Sequence, residues 1–178
     1  MLATGLAPSD EREAAFVTTL LPGAYTVGVT GLNGGTGVGL LEIYDVDLAS
    51  PARLANLSSR GFVGSGNDLM IGGFIVRGNE AEARLVVRGV GPSLTAAAIT
   101  EPLDDPTLEV RDSQGALVAA NDDWRSAQEA EIIASTLAPL HEKEAAVVLQ
   151  LPPGPYTALL RGSRGGTGIG LLEAYRLQ

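Results

Sequence analysis

The stretch that decides the fold is residues 137–175, LAPLHEKEAAVVLQLPPGPYTALLRGSRGGTGIGLLEAY. Residues 6–44, LAPSDEREAAFVTTLLPGAYTVGVTGLNGGTGVGLLEIY, repeat this stretch with an offset of 131 residues (137 − 6). The two segments are identical at 23 of 39 positions without a gap, which indicates a repeated structural unit. We call residues 6–44 the first copy and residues 137–175 the second copy.

Each copy predicts a unit of three strands. In both copies a Pro-Gly pair separates the first two strands, because proline fixes φ and glycine accepts a positive φ. Along the middle strand, Tyr156, Ala158 and Leu160 lie on one face, and this period of two predicts that the tyrosine face is buried. The predicted strands are 14–20, 24–30 and 38–44 in the first copy and 145–151, 155–161 and 169–175 in the second.

The segment between the copies predicts five further strands and one short helix. Ser126 and Glu129 form a capping-box pattern, which predicts a helix over residues 127–136. The predicted strands are 62–63, 69–76 and 84–90, followed by a hairpin of 107–111 with 116–120. We call residues 53–124 the front portion.

Residues 53–178 are therefore predicted to form a complete module of about eight strands, an antiparallel β-sandwich of the all-β class with one short helix. Residues 1–47 are an extra three-strand closing unit at the N-terminus, and residues 48–52 are the junction. Three strands alone cannot bury both faces and leave unpaired edges. We expect the extra unit to dock on the module in its own chain or on a neighbouring chain, and the third alternative is that the sequence was cut from a longer tandem array.

Composition limits the function. The chain has 178 residues, of which 45% are hydrophobic, and 23 are glycine, which suits short strands joined by tight turns. Its net charge of −9 without a basic run argues against nucleic acid and anionic membrane surfaces. The absence of cysteine excludes disulfides, zinc thiolates and thiol nucleophiles. No apolar run is long enough for membrane insertion, and residues 1–9 do not have the pattern of a signal peptide.

Acidic side chains near the two ends of the predicted hairpin form the candidate metal site. Clustered oxygen ligands on loops suit Ca²⁺, although Asp and Asn also favour turns for local reasons. The candidate ligands are Asp104, Asp105, Asp112, Asn121, Asp122 and Asp123. No other cofactor is predicted.

Trp124, the only tryptophan, adjoins that acidic group. An exposed ring there would suit stacking on a sugar, and a buried ring would plug one end of the sandwich. Glu42 and Glu173 occupy the same position of the two copies, which favours a structural salt bridge or an exposed strand face over a catalytic pair.

No residue constellation supports an enzyme. The loop 31–39 is rich in glycine but has no lysine and leads into a strand, unlike a phosphate-binding loop. Ser93 lies in a glycine-rich turn that lacks the nucleophile-elbow pattern. The only histidine, His141, corresponds to Asp10 of the first copy, which indicates a surface loop.

The order of motifs at residues 108–115 (LEVRDSQG), 121–123 (NDD) and 153–157 (PGPYT) resembles the bacterial pre-peptidase C-terminal domain family. Residues 53–178 are also similar to uncharacterised tandem repeats in large secreted bacterial proteins. The resemblance implies a jelly-roll-like sandwich, export, and a role as an accessory or surface module. Some members of the family bind calcium or collagen.

The sequence thus predicts a non-catalytic, extracellular structural or adhesive module, secreted or on the cell surface. It is expected to associate with copies of itself through strand edges of residues 1–47 or 137–178, in a polymer or tandem array. The alternative is an accessory module of a secreted enzyme that binds polysaccharide or a matrix protein, with Trp124 in the binding surface.

Overall fold

A computed structural model of the chain describes residues 4–47, 54–78 and 82–177. The chain divides into two compact units, Met1–Leu54 and Ala55–Gln178. The predicted junction at 48–52 lies outside the described residues. All the β-strands of the described part belong to the second unit.

The second unit contains two four-stranded antiparallel sheets, with strand orders β1-β8-β3-β6 and β2-β7-β4-β5. This arrangement confirms the prediction of an all-β antiparallel sandwich. The first strand begins six residues earlier than predicted, because its polar and small residues do not show the apolar alternation that marks a strand in a sequence. The strands are β1 Asn56–Val63, β2 Met70–Val76, β3 Ala83–Val90, β4 Pro106–Asp112, β5 Leu117–Asn121, β6 Ala145–Leu151, β7 Gly154–Gly162 and β8 Gly168–Arg176.

The main core lies between the two sheets. Tyr156, Ala158 and Leu160 of β7 all point into it, as the period of two predicts, and Phe74 of β2 stacks on Tyr156 with ring centroids 5.7 Å apart. The predicted hairpin of β4 and β5 is also present. Burial of these apolar side chains is the main stabilising contribution to the sandwich.

A second, smaller apolar cluster covers the outer face of the first sheet. It joins Val86 and Val148 of the sheet to Trp124 and Ile132. Ile132 belongs to α1, Glu129–Ala134, which is shorter than predicted.

The predicted capping box at the start of this helix is wrong. The Ser126 hydroxyl donates to the Asp123 carbonyl within a 3₁₀ turn, and the helix begins after Gln128 instead. The Gln128 side-chain amide exchanges two hydrogen bonds with the backbone of Val148 on β6, at 3.0 and 3.1 Å. A tertiary contact, which sequence spacing does not reveal, therefore decides where α1 begins.

The three strands of the second copy interleave with those of the front portion. β8 lies between β1 and β3, β7 lies between β2 and β4, and β6 pairs with the outer edge of β3. In the two described sheets none of β6, β7 and β8 pairs with another of the three. The second copy therefore forms ladders only with strands from the front portion.

The first copy shows the consequence. Residues 14–20, 24–30 and 38–44 form no β-strand or ladder among the described residues 4–47, contrary to the prediction of three strands. Its local conformation nevertheless follows the second copy. The 3₁₀ turns Leu32–Gly34 and Ser163–Gly165 each contain a central residue, Asn33 or Arg164, with φ of 54°.

Candidate functional site

Three of the six predicted metal ligands lie together. Carboxylate oxygens of Asp105, Asp122 and Asp123 are within 4.8 Å of one another. Burial, followed by the negative charges of Asp105 and Asp123, raises the pKa of Asp122. The three oxygens are of the type that suits a hard cation, so calcium stays a prediction of the sequence.

The other three predicted ligands have different contacts. Asp104 forms an ion pair of 2.9 Å with Lys143. The Asn121 side-chain oxygen accepts a hydrogen bond of 3.0 Å from the Ala146 amide of β6. Asp112 lies at the opposite end of β4 from Asp105, where its carboxylate accepts hydrogen bonds from the backbone amides of the β4–β5 turn.

Trp124 is buried, with 3% of its surface exposed. Its indole Nε1 donates a hydrogen bond of 3.1 Å to the His141 carbonyl, and the Arg125 guanidinium lies 4.1 Å from the ring centroid. The ring is therefore not the exposed surface that the carbohydrate-binding alternative requires. The ring packs within the small outer cluster, as a structural core residue does.

Glu173 of β8 connects the second copy to the front portion by an ion pair. The Arg88 guanidinium on β3 donates to Glu173 through Nε at 3.0 Å and through a second, shorter contact from Nη2. The Ser58 hydroxyl on β1 donates to the other carboxylate oxygen at 3.0 Å. Burial, and then the hydrogen bond to Glu173, raise the pKa of Tyr175. Glu173 thus ties β8 to both of its neighbouring strands.

Glu144 makes a second polar connection, which sequence reasoning missed. Its side chain is fully buried. One carboxylate oxygen accepts hydrogen bonds from the backbone amides of Gly91 and Ser93, at 3.1 and 2.9 Å, and from the Ser93 hydroxyl at 2.6 Å. The available signal was that both copies have glutamate at this position, Glu13 and Glu144.

Within the first copy, the corresponding side chains keep the same local hydrogen bonds. The Tyr44 hydroxyl donates to Glu42 at 2.9 Å, as Tyr175 donates to Glu173 at 2.7 Å. The Asp10 amide donates to Glu13 at 3.4 Å, which matches the bond of 3.2 Å from His141 to Glu144. The Tyr25 hydroxyl donates to the Leu21 carbonyl at 2.8 Å, and Tyr156 donates to Pro152 at 2.9 Å.

The two copies differ in the exposure of their apolar side chains. Tyr25 and Val29 are 57% and 61% exposed, whereas the corresponding Tyr156 and Leu160 are 8% and 0% exposed. We call the apolar side chains of the first copy that are exposed in this way the uncovered faces, and we take them as the candidate functional site. They are Phe16, Val17, Leu20, Tyr25, Val27, Val29, Val38, Leu40, Leu41, Ile43 and Tyr44.

The second unit is thus a β-sandwich, and the first copy forms no β-ladder among the described residues 4–47. No protein-family model matches the chain, and no curated protein matches it. Among solved structures, the chain is similar to the pre-peptidase C-terminal domain of a collagenase from Bacillus anthracis, with 12% identity and a TM-score of 0.42. The match covers 67% of this chain and 88% of that one. The same class of domain is the one that the motifs between residues 108 and 157 resemble.

No helix among the described residues is long and apolar enough to cross a membrane.

Proposed function

We propose that the chain is a non-catalytic, extracellular structural module that joins to a further module by strand complementation, as in a tandem array. The first copy supplies three strands to the front portion of another module. The observation that carries this proposal is the set of uncovered faces, because of their eleven counterparts in the second copy seven are buried and four are half-buried.

Backbone pairing supports the proposal. β7 and β8 of the second copy each pair with a neighbour on both sides, and all four neighbours belong to the front portion. The corresponding segments of the first copy have no ladder among residues 4–47. Buried amide and carbonyl groups need hydrogen-bond partners, so these segments can be buried only between strands that supply such partners.

Polar contacts add selectivity. An arginine in the position of Arg88 would pair with Glu42, and a turn like that of Gly91 and Ser93 would donate to Glu13. Both carboxylates already have the local hydrogen bonds that orient their counterparts in the second copy. The first copy therefore presents two oriented hydrogen-bond acceptors beside its apolar side chains. A nonspecific apolar surface could bury these side chains but could not donate hydrogen bonds to the two carboxylates.

The numbers of segments indicate the partner. Residues 6–175 contain two copies and one front portion, so exchange among segments of this composition leaves one copy uncovered for each front portion that is closed. Only a front portion without a closing copy of its own reduces the exposed apolar surface. We therefore propose as the partner a polypeptide segment with the pattern of β1–β5.

The experiment adds a polypeptide of residues 53–136 to the full chain and measures the mass of the complex by light scattering after gel filtration. We expect a one-to-one complex with the full chain and much weaker binding to a chain that lacks residues 1–47. Glu42→Lys should weaken the complex, and Glu11→Lys, a matched change in the same copy, should not. Equal binding by the full and shortened chains would contradict the proposal.

The carbohydrate-binding alternative has less support, because Trp124 is buried.

A further inference from the structure

The two copies differ at a position where β7 packs closely on the front portion. Leu160 of the second copy is fully buried between two glycines, Gly89 of β3 and Gly170 of β8. A Cβ atom added to Gly89 would lie 2.5 Å from Leu160 Cδ1, and one added to Gly170 would lie 2.8 Å from Leu160 Cδ2. Leu160 lies in the main core, so a methyl group that moves away from an added Cβ must displace neighbouring core side chains.

The first copy has Val29 at this position, and valine ends one carbon earlier. Within the first copy, Gly39 corresponds to Gly170, and a Cβ added to Gly39 would lie 3.7 Å from Val29 Cγ1, which is an ordinary contact distance. Because valine is one carbon shorter than leucine, a front portion closed by the first copy would leave more space beside position 89 than one closed by the second copy.

We infer that the residue at position 89 of a front portion determines which copy it accepts. Glycine favours the second copy through Leu160, and alanine favours the first copy through Val29. The inference rests on the proposed function and refines it, because it identifies the acceptor of the first copy as a β1–β5 segment with alanine at this position.

Gly72 of β2 provides a matched control. A Cβ added there would lie 2.6 Å from Leu172 Cδ2, as close as the contact at Gly89. Both copies have leucine at the facing position, Leu41 in the first and Leu172 in the second. Alanine at position 72 should therefore hinder both copies alike and should not discriminate between them.

The test uses disulfide trapping in the full chain, which has no cysteine of its own. Arg60 of β1 lies opposite Leu171 of β8, and both are on the outer face of the sheet. Cysteines at 60 and 171 therefore report the second copy in the front portion, and cysteines at 60 and 40 report the first copy. Cysteines at 60 and 26 are the negative control, because Thr157, the counterpart of Thr26, pairs in the other sheet.

We expect Gly89→Ala to raise the yield of the 40–60 disulfide relative to the 171–60 disulfide by about tenfold, whether the bond forms within one chain or between two. Gly72→Ala should leave that ratio unchanged. Gly89→Ala combined with Leu160→Val should restore the 171–60 disulfide, which shows that the variant still folds. An unchanged ratio in Gly89→Ala, or an equal rise in Gly72→Ala, would overturn the inference.

The two experiments distinguish a failure of this inference from a failure of the proposed function. If residues 53–136 fail to bind the full chain but the ratio changes in Gly89→Ala, the proposed function fails and the selection by residue 89 stands. If residues 53–136 bind and the ratio stays constant, only the inference fails.

Discussion

The first and second copies are identical at 23 of 39 positions, yet only the second forms β-strands in the described part of the chain. The turn, the tyrosine-to-carbonyl bond and the tyrosine-to-glutamate bond occur in both copies. These shared features involve residues close together in the sequence. The ladders and the burial involve the front portion. The comparison therefore separates what a segment does by itself from what it does only with its neighbours.

The largest expected effect is the difference in the free energy of unfolding between Leu160→Ala and Val29→Ala. Leu160 is fully buried, so its truncation should lower the free energy of unfolding of the sandwich by about 4 kcal/mol. Val29 is exposed, and its truncation should change that free energy by less than about 0.5 kcal/mol. Urea denaturation followed by the fluorescence of Trp124, which lies in the second unit, measures both variants. Similar losses in the two variants would show that the first copy is already buried in the isolated chain.

An intermediate effect compares Glu173→Gln with Glu42→Gln. Removing the charge of Glu173 leaves the largely buried Arg88 without its ionic partner, which should cost about 2 kcal/mol. Glu42 has no such partner within residues 4–47, so Glu42→Gln should leave the urea midpoint of the isolated chain unchanged. Addition of residues 53–136 sharpens this comparison, since Glu42→Gln should then weaken the complex. If Glu42→Gln lowers the urea midpoint of the isolated chain, Glu42 already has a stabilising partner there. The expectation that it gains one only from an added front portion would then be wrong.

The smallest expected effect concerns calcium. At a free concentration ten times the dissociation constant, Ca²⁺ at Asp105, Asp122 and Asp123 should stabilise the sandwich by about 1.4 kcal/mol. Asp122→Asn should remove this increment, whereas Asp112→Asn, at the far end of β4, should keep it. Thermal unfolding with calcium or with a chelator measures the difference. An identical melting temperature of the parent chain in both conditions would remove calcium from the description of this module.

Sequence periodicity predicted the strands well wherever apolar and polar residues alternate. β7 shows this most clearly, since the tyrosine face is buried as the alternation predicts. The pattern gave little warning of most of β1, whose outward and inward positions are both polar or small over several residues. It also could not place Gln128 against β6, because that contact joins residues 20 apart in the sequence.

The candidate site was only partly predictable. The surplus copy was evident from the repeat, but the sequence did not show with which strands the segments of a copy pair. The role of Glu144 could not be predicted, because a glutamate among polar residues is typical of a surface loop. Only the fold brings Gly91 and Ser93 next to its carboxylate. Of the six predicted ligands, Asp105, Asp122 and Asp123 lie together, because the β4–β5 hairpin brings the residue before β4 next to the two residues after β5.

The sequence by itself determined the all-β class, the repeat, the local turns and the face of β7 that would be buried. These properties depend on φ preferences, on alternation and on hydrogen bonds between near neighbours. Only the tertiary structure decided that the two sheets interleave β6–β8 with β1–β5, and hence that one copy is buried while the other is exposed. The physical reason is that a β-strand satisfies its backbone groups through another strand, and the identity of that strand is a long-range property.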